Sequence, residues 1–286
     1  MKNIKYFLQF LFVILSFIIF KIIGPNLSSS LSGKIFQLIG PLFRSKKIIH
    51  TNIKRAIPNI DSENLEKITK LMWNNYGRIF AEYMFIKDFR HGKLEHKIKI
   101  EGQEILDEIK KYNKQVIFIS GHFCNFELMA MHLEKSGINL SAIYRPLNNI
   151  FLNGIMEGIR EKYICKHQIK KGIQGVREAI EFIKKNHCLA LMIDQRVSEG
   201  EKINFFGKSA LTTTLPAQLS IKFGIDIIPV YIERSDDNKF KLEFQNRVSP
   251  KNFKDKIHLT KELNKILEKM IIKNPNQWIW THNRWK

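Results

Sequence analysis

A histidine and a carboxylate lie five residues apart in the segment from Ser120 to Glu127, directly after an apolar run. A neutral imidazole can accept a proton near pH 7, and a carboxylate on its other nitrogen fixes the tautomer and stabilises the imidazolium that forms. His122 is therefore a candidate general base, and Glu127 is the candidate acid that orients it. A turn histidine beside an ordinary acid of a first helical turn would show the same spacing, so spacing alone leaves both interpretations open.

The residues around this turn predict a strand before it and a helix after it. Residues 115–120 (QVIFIS) are short, β-branched and aromatic, which is typical of a core strand. Residues 126–134 have a helical pattern. If that helix begins near Asn125, Glu127 lies in its first turn, where the amide dipoles favour an ionised carboxylate. Turns held by a rigid scaffold commonly carry catalytic groups.

Strands and helices alternate beyond this turn, which predicts an α/β fold with a mixed, mostly parallel sheet flanked by helices. We expect residues 24–96 to be mainly helical and to pack on this sheet, so that residues 24–286 form one domain. The run 188–194 is continuously apolar and belongs near the centre of the sheet. Further strands are expected at 139–145, 226–233 and 239–245, and further helices at 150–163, 175–185, 217–223 and 259–273.

Three of the predicted strands end at Ser120, Arg145 and Asp194, and such ends converge at one edge of an open α/β sheet. The guanidinium of Arg145 could bind a phosphate or stabilise an oxyanion. Asp194 and Gln195 could hydrogen-bond a sugar or position Arg145, and Arg196 adjoins them as a further contact. The alternatives are a solvent-exposed arginine and ordinary strand-end caps.

The composition indicates an acidic partner or an anionic surface. The chain has 47 basic and 27 acidic residues, a formal charge of +20, which attracts phosphates, anionic lipid headgroups or an acidic protein. Nucleic acid is disfavoured as a partner because the sequence has no zinc-finger spacing and no RNA-recognition aromatic motif, and its lysines are spread along the chain. The 44% hydrophobic content supports a sizeable packed core.

Residues 1–23 contain an apolar stretch of about 18 residues, close to the roughly 20 needed to span a bilayer. We expect an uncleaved membrane anchor, because the stretch is too long for a signal peptide and no clear cleavage site follows it. Gln9, Ser16 and Lys21 interrupt the stretch or lie at its edge, so a helix lying in the membrane interface is the alternative. A cytoplasmic catalytic body is favoured by the flanking basic residues, which are Lys2, Lys5, Lys21, Lys34, Arg44, Lys46 and Lys47.

The three cysteines form no CxxC pair and are odd in number, which indicates a reducing compartment and makes a zinc site improbable. Cys124 lies two residues from His122 and could be a nucleophile that accepts an acyl group. It could equally be a small buried apolar residue. The absence of a Gly-x-Ser-x-Gly motif disfavours a serine hydrolase.

Residues 121–127 (GHFCNFE) resemble the His-x4-Asp/Glu block of the glycerolipid acyltransferase superfamily, in the form found in the lipid A biosynthesis (lauroyl/myristoyl) acyltransferase family. The similarity runs from about residue 6 to residue 286. Two departures are Cys124, where the family usually has glycine, and Arg196, where a small or acidic residue is usual. The other matching segments are residues 50–53, 56–58, 73, 77–78, 81–82, 144–149, 194–195, 205–207 and the aromatic ending 278–285.

The resemblance implies an O-acyltransferase that needs no metal or cofactor. His122, oriented by Glu127, would deprotonate a hydroxyl that attacks an acyl thioester, while Arg145 or backbone amides support the oxyanion. The resemblance also makes Asn125 a candidate substrate contact. The implied donor is an acylated acyl carrier protein, and the implied acceptor is a lipid A precursor at the cytoplasmic face of a bacterial inner membrane.

Two alternatives remain open at this stage. One is an acyltransferase acting on a different lysophospholipid or glycolipid, with acyl-coenzyme A as a possible donor. The other is a non-enzymatic membrane adaptor whose basic surface binds anionic lipid or nucleic acid. The aromatic ending is expected to pack beside the cleft, with a membrane-interface role as its alternative.

Overall fold

The computed structural model describes residues 2–235 and 237–286. In chain order the strands are β1 Ile98–Glu101, β2 Val116–Ser120, β3 Leu140–Tyr144, β4 His167–Lys170, β5 Cys188–Met192, β6 Glu201–Phe205, β7 Lys208–Thr212, β8 Asp226–Arg234 and β9 Phe240–Phe244. The helices are α1 Lys2–Ile23, α2 Pro25–Ile39, α3 Lys46–Ala56, α4 Ser62–Glu82, α5 Ile86–His91, α6 Gln103–Lys111, α7 Glu127–Lys135, α8 Ile150–Tyr163, α9 Ile173–Lys184, α10 Leu215–Phe223 and α11 Lys256–Lys273.

Seven strands form one sheet in the order β1-β9-β8-β2-β5-β3-β4. Only the β8–β9 pair is antiparallel within the described part of this sheet, and the other neighbours run parallel. The predicted fold class, a mixed and mostly parallel α/β sheet, is thereby confirmed. The predicted central position of the apolar run is also correct, because β5 lies between β2 and β3.

Side chains of β2 alternate between two hydrophobic layers, as the pleat of a strand requires. Val116 and Phe118 join a cluster that includes α7 and the inner face of α1. Ile117 and Ile119 join the opposite cluster, which includes α10, α11 and the aromatic ending of the chain. Every residue of β2 is buried, so this strand is a rigid support for the turn that follows it.

Several short elements were not predicted. The edge strands β1 (IKIE) and β4 (HQIK) carry too few buried residues to give a strand pattern, and α6 lies between β1 and β2. The residues between β5 and α10, for which no strand was predicted, contain the hairpin β6–β7. Its turn places Phe206 and Gly207 at φ values of 50° and 70°, the left-handed conformations of a tight hairpin turn.

The helical region between the first helix and the sheet is α2 to α5, in agreement with the prediction. Helix α4 approaches α2 so closely that a Cβ atom on Gly77 would lie 2.2 Å from the carbonyl oxygen of Ser32. Helix α1 ends at Ile23, where the predicted anchor ends, and Gly24 follows with a φ of 82°. The division into an anchor over residues 1–23 and one domain over 24–286 stays a prediction.

Candidate active site

His122 lies in the turn after β2, and its partner is Asp194, two residues after β5. The Nδ1 atom of His122 is 2.7 Å from Oδ1 of Asp194, and the backbone N–H of His122 donates to Oδ2 at 2.8 Å. The two residues meet because β2 and β5 are neighbouring parallel strands. The side chain of His122 is 20% exposed and that of Asp194 is 0% exposed, so the base is accessible while its partner is enclosed.

Trp278 completes the surroundings of Asp194. Its indole Nε1–H donates to Oδ2 of Asp194 at 2.9 Å, and its ring packs edge-on against Trp280 at 4.6 Å between centroids. Both tryptophans are buried. The aromatic ending of the chain therefore packs beneath the turn of His122, where Trp278 bonds the carboxylate that contacts the histidine.

The charges of this pair favour a basic imidazole. Burial by itself lowers the pKa of His122, but the adjacent Asp194 carboxylate outweighs burial and raises that pKa above its ordinary value. Burial likewise raises the pKa of Asp194, but the charge and hydrogen bonds of His122 outweigh it, so the pKa of Asp194 is lowered. With Nδ1–H donated to Asp194, Nε2 of His122 is the nitrogen left to accept a proton.

Glu127 does not orient His122, contrary to the prediction. Its Oε1 atom accepts from Nε and Nη2 of Arg160 at 2.9 and 2.6 Å. Arg160 of α8 holds this carboxylate with two hydrogen bonds, and Asp194 already occupies Nδ1 of His122. Helix α7 begins at Glu127 rather than near Asn125. Sequence proximity indicated the wrong carboxylate, because the one at Nδ1 follows strand β5 and lies 72 residues further along the chain.

A cavity of about 420 Å³ opens beside His122. Its polar lining includes His122, Glu127, Arg145, Arg160, Lys171 and Gln195. Its apolar lining includes Phe126, Met129, Ala130, Ala142, Ile164, Ala190 and Leu191. One cavity therefore combines a base, several cations and a hydrocarbon-like wall.

Two of these cations were not predicted. Nothing in the local sequence distinguishes Arg160 from the other basic residues of the chain. Burial by itself lowers its pKa, but Glu127 outweighs burial and raises it. Burial and the charge of Arg145 lower the pKa of Lys171, and both residues line the cavity.

The remaining predicted substrate contacts divide into two groups. Arg145 and Gln195 line the cavity, as a substrate contact must. Asn125 is buried beneath the turn, where its Nδ2 donates to Glu82 at 3.3 Å, because the carboxylate of Glu82 draws the amide inward. Arg196 is directed toward the end of the chain, donating to the carbonyl oxygen of Lys286 at 3.1 Å.

Asp194 also differs from its predicted role. It was expected to hydrogen-bond a sugar or Arg145, but its carboxylate is fully enclosed by His122 and Trp278. A carboxylate with no exposed surface contacts no substrate. It contacts His122 instead, at Nδ1 and at the backbone N–H.

Cys124 is fully buried inside the turn, and burial raises the pKa of its thiol to about 12. The thiolate is the nucleophilic form of cysteine, and a thiol with this pKa stays protonated at neutral pH. The structure therefore favours the interpretation of Cys124 as a small buried apolar residue. Among the described residues, no group of three His, Cys, Asp or Glu side chains could hold a metal ion.

The amino-acid sequence can be compared with those of known proteins. The family model for bacterial lipid A biosynthesis acyltransferases matches residues 1–286. A lipid A biosynthesis lauroyltransferase of Escherichia coli is 21% identical over 249 residues, which cover 85% of this chain and 79% of that protein. A lipid A biosynthesis palmitoleoyltransferase of the same species is 23% identical over 252 residues, covering 86% and 80%.

A solved structure was also compared with this chain. The 1-acyl-sn-glycerophosphate acyltransferase PlsC from Thermotoga maritima matches with a TM-score of 0.42 and 16% identity, covering 90% of this chain and 100% of that one. The family match extends over the whole chain, including the cavity and the turn of His122. The chain is therefore an acyltransferase of lipid A biosynthesis and belongs to the bacterial lipid A biosynthesis acyltransferase family.

Proposed function

We propose that this protein transfers a fatty acyl chain from an acyl-carrier-protein thioester to a hydroxyl of a lipid A precursor, with His122 as the general base. The observation that carries the mechanism is the His122–Asp194 pair at the cavity, because it leaves a basic imidazole nitrogen facing the space that a substrate would enter. Family membership supports the acceptor class.

The proposed step begins with proton transfer from the acceptor hydroxyl to Nε2 of His122. The hydroxyl oxygen attacks the thioester carbonyl carbon, forming a C–O bond and an oxyanion. When that tetrahedral intermediate collapses, the C–S bond breaks and the leaving thiolate takes the proton from the imidazolium. Asp194 keeps the imidazole in the required tautomer and stabilises the imidazolium between the two proton transfers.

Glu127, which was expected to be catalytic, is a positioning residue in this proposal, because it acts through Arg160. Its carboxylate accepts two hydrogen bonds from the guanidinium, which fixes a planar set of donors inside the cavity. Arg160 and Arg145 are the candidate donors for the oxyanion or for a substrate phosphate. The apolar wall at Met129 and Ala142 would receive the acyl chain.

The donor and the location follow from charge. Acyl carrier proteins are acidic, and the formal charge of +20 would attract them as well as anionic phospholipids. Helix α1 is long and apolar enough to act as a membrane anchor. Two basic residues precede the apolar stretch and five lie between Lys21 and Lys47, so we propose that the catalytic domain lies on the cytoplasmic face of the inner membrane.

A reconstituted assay tests this function. Purified full-length protein would be given a lipid A precursor with either acyl carrier protein or coenzyme A thioesters, and the products measured by mass spectrometry. We expect transfer from the carrier-protein donor and a loss of about 10²- to 10⁴-fold in His122→Ala. His258→Ala is the matched control, since that histidine is exposed on α11 and should retain full activity.

Two results would overturn the proposal. Normal transfer by a folded His122→Ala variant would show that His122 is not the general base. Transfer to a lysophospholipid but not to the lipid A precursor would favour the alternative acceptor. A deletion strain separates the same alternatives, because unchanged lipid A acylation there would contradict the proposed acceptor.

A further inference from the structure

Helix α1 is attached to the catalytic domain near both of its ends. Near its start, Nδ2 of Asn149 donates to the carbonyl oxygen of Tyr6 at 2.8 Å. Near its end, Nζ of Lys21 lies 3.2 Å from Asp88 of α5. With a rise of about 1.5 Å per residue, these 22 residues extend about 33 Å along the domain. Helix α1 therefore lies along the domain and does not project away from it.

Aromatic contacts fill the space between these two attachments. Phe151 of α8 packs against Phe7 and Phe10, at 5.6 and 6.0 Å between ring centroids. Phe17 and Phe20 are buried against Phe80 of α4, at 5.3 and 5.7 Å. One face of α1 is therefore bound to the domain over most of its length.

The opposite face of α1 is apolar and exposed. The most exposed of its side chains are Ile22 at 79%, Ile4 at 66% and Phe12 at 65%. Exposed apolar residues continue on α2, with Leu38 at 81%, and into the turn after it. A contiguous surface of this kind on a protein marks an interaction site.

Helix α8 extends this surface to the cavity. Ile150 is 62% exposed and Ile155 is 36% exposed, beside the Phe151 ring that contacts α1. The side chain of Asn149 links the two helices, because its Oδ1 caps α8 by accepting from the N–H groups of Phe151 and Leu152 while its Nδ2 bonds α1. The rim of the cavity at Pro146, Leu147 and Asn148 immediately precedes this cap.

The charges around the surface identify its partner. No acidic residue precedes Asp61 in the sequence, whereas exposed basic side chains occur at both ends of α1, on α2 and after it. An apolar face bordered by cations matches the hydrocarbon and the anionic headgroups of one membrane leaflet.

We propose that α1 and the first turns of α8, residues 150–155, together form one membrane-binding surface that lies in a single leaflet beside the cavity. Helix α1 then lies along the interface rather than spanning the bilayer. The rim at residues 146–148 faces the lipid, so a lipid acceptor enters the cavity laterally without leaving the membrane. The lateral entry of the acceptor rests on the proposed function, whereas the membrane geometry does not.

Depth-dependent fluorescence quenching tests the geometry in the full-length protein. The three native cysteines are buried, so an environment-sensitive label can be directed to introduced cysteines. Labels at I4C, L11C, I18C and I150C would be measured on phosphatidylethanolamine–phosphatidylglycerol vesicles with lipids carrying shallow or deep nitroxides. We expect all four labels to share a depth of about 5–10 Å into the headgroup and acyl boundary.

I272C is the matched control, because Ile272 is 45% exposed on α11, on the opposite layer of the sheet. Its label should not be quenched by either lipid. A spanning α1 would instead separate the labels at residues 4 and 18 by about 21 Å in depth. That separation, or a label at residue 150 that is no more quenched than the control, would overturn the inference.

An activity measurement adds the functional consequence. I150Q/I155Q changes no residue that lines the cavity, and we expect normal activity on acceptor dispersed in detergent micelles. Activity on vesicle-embedded acceptor should fall by about tenfold, because the variant loses apolar area that lipid would cover. Equal activity on both acceptors would overturn the lateral entry. If the depth measurements agree with the proposed membrane geometry while His122→Ala keeps normal activity, the proposed function is wrong and the membrane geometry is still supported.

Discussion

Two carboxylate–arginine pairs border the turn that carries His122, and they differ in what they can reach. The side chains of Glu127 and Arg160 are 10% and 12% exposed and line the cavity. Those of Glu82 and Arg234 are 5% exposed and lie inside the domain. The two pairs share the same chemistry, yet only the first can contact a substrate.

The inner pair connects distant parts of the chain. Oε1 of Glu82 accepts from Ser29 of α2 at 2.9 Å, and its Oε2 accepts from Arg234 at 2.7 Å and from Asn125 of the turn at 3.3 Å. Arg234 also donates to Asn75 of α4 at 2.6 Å. This pair therefore supports the turn, and we expect its loss to lower stability, whereas loss of the outer pair lowers activity.

Neither pair contains the carboxylate that serves His122, so the largest effect on activity should come from Asp194. In Asp194→Asn the imidazole loses its charged partner and its tautomer is no longer fixed. We expect kcat/KM to fall by about 10²- to 10⁴-fold in the reconstituted assay. An Asp194→Asn variant as active as the parent would mean that His122 needs no partner.

Breaking the inner pair should have the largest effect on stability. Glu82→Ala leaves Arg234 buried without a countercharge, which costs about 3–5 kcal/mol of unfolding free energy. Denaturant unfolding measures this loss. Glu262→Ala is the control, because its exposed pair with Lys265 contributes only about 0–1 kcal/mol. An equal loss in the two variants would contradict the supporting role of the inner pair.

Breaking the outer pair should affect catalysis without unfolding the protein. Arg160→Lys keeps the charge but loses the planar fork of donors. Since Arg160 is a candidate donor to the oxyanion, and such donors stabilise the transition state, we expect kcat/KM to fall by roughly 10- to 100-fold. The melting temperature should change little. Arg177→Lys, at an exposed position of α9, should leave both quantities unchanged.

The pH dependence shows which carboxylate controls His122. In the proposed mechanism the neutral imidazole is the active form, and the pKa of His122 is raised, so the acidic limb of kcat/KM should lie above pH 6.5. Asp194→Asn removes the charge that raises the pKa of His122 most, whereas burial, which lowers that pKa, remains. The acidic limb should therefore move to lower pH. Glu127→Gln should move it in the same direction by less. A larger displacement in Glu127→Gln would restore the pairing expected from the sequence.

The smallest effect is expected at Cys124. Because its thiol is buried and protonated, Cys124→Ala should cost about 1 kcal/mol of stability and leave kcat nearly unchanged. Intact-protein mass spectrometry of the parent during turnover should show no acyl adduct. An adduct that disappears in Cys124→Ala would establish a covalent intermediate.

The success of the sequence predictions followed the strength of the local pattern. β2 and β5 are apolar and continuous, and both were predicted within about two residues. Helix α8 was predicted with its observed bounds. The strands β1 and β4 were missed because edge strands bury few side chains, and the β6–β7 hairpin was missed because its turn contains a phenylalanine in a conformation that usually favours glycine or asparagine.

By itself, the sequence determined the α/β fold class, the position of His122 after a buried strand and the family to which the chain belongs. Only the tertiary structure decided which carboxylate serves the histidine. Asp194 lies 72 residues from His122, and Arg160 lies 33 residues from Glu127. Local patterns specify strands and helices, but contacts over such separations depend on strand order and helix packing. Here the neighbouring strands β2 and β5 bring Asp194 to His122, and the packing of α8 brings Arg160 to Glu127.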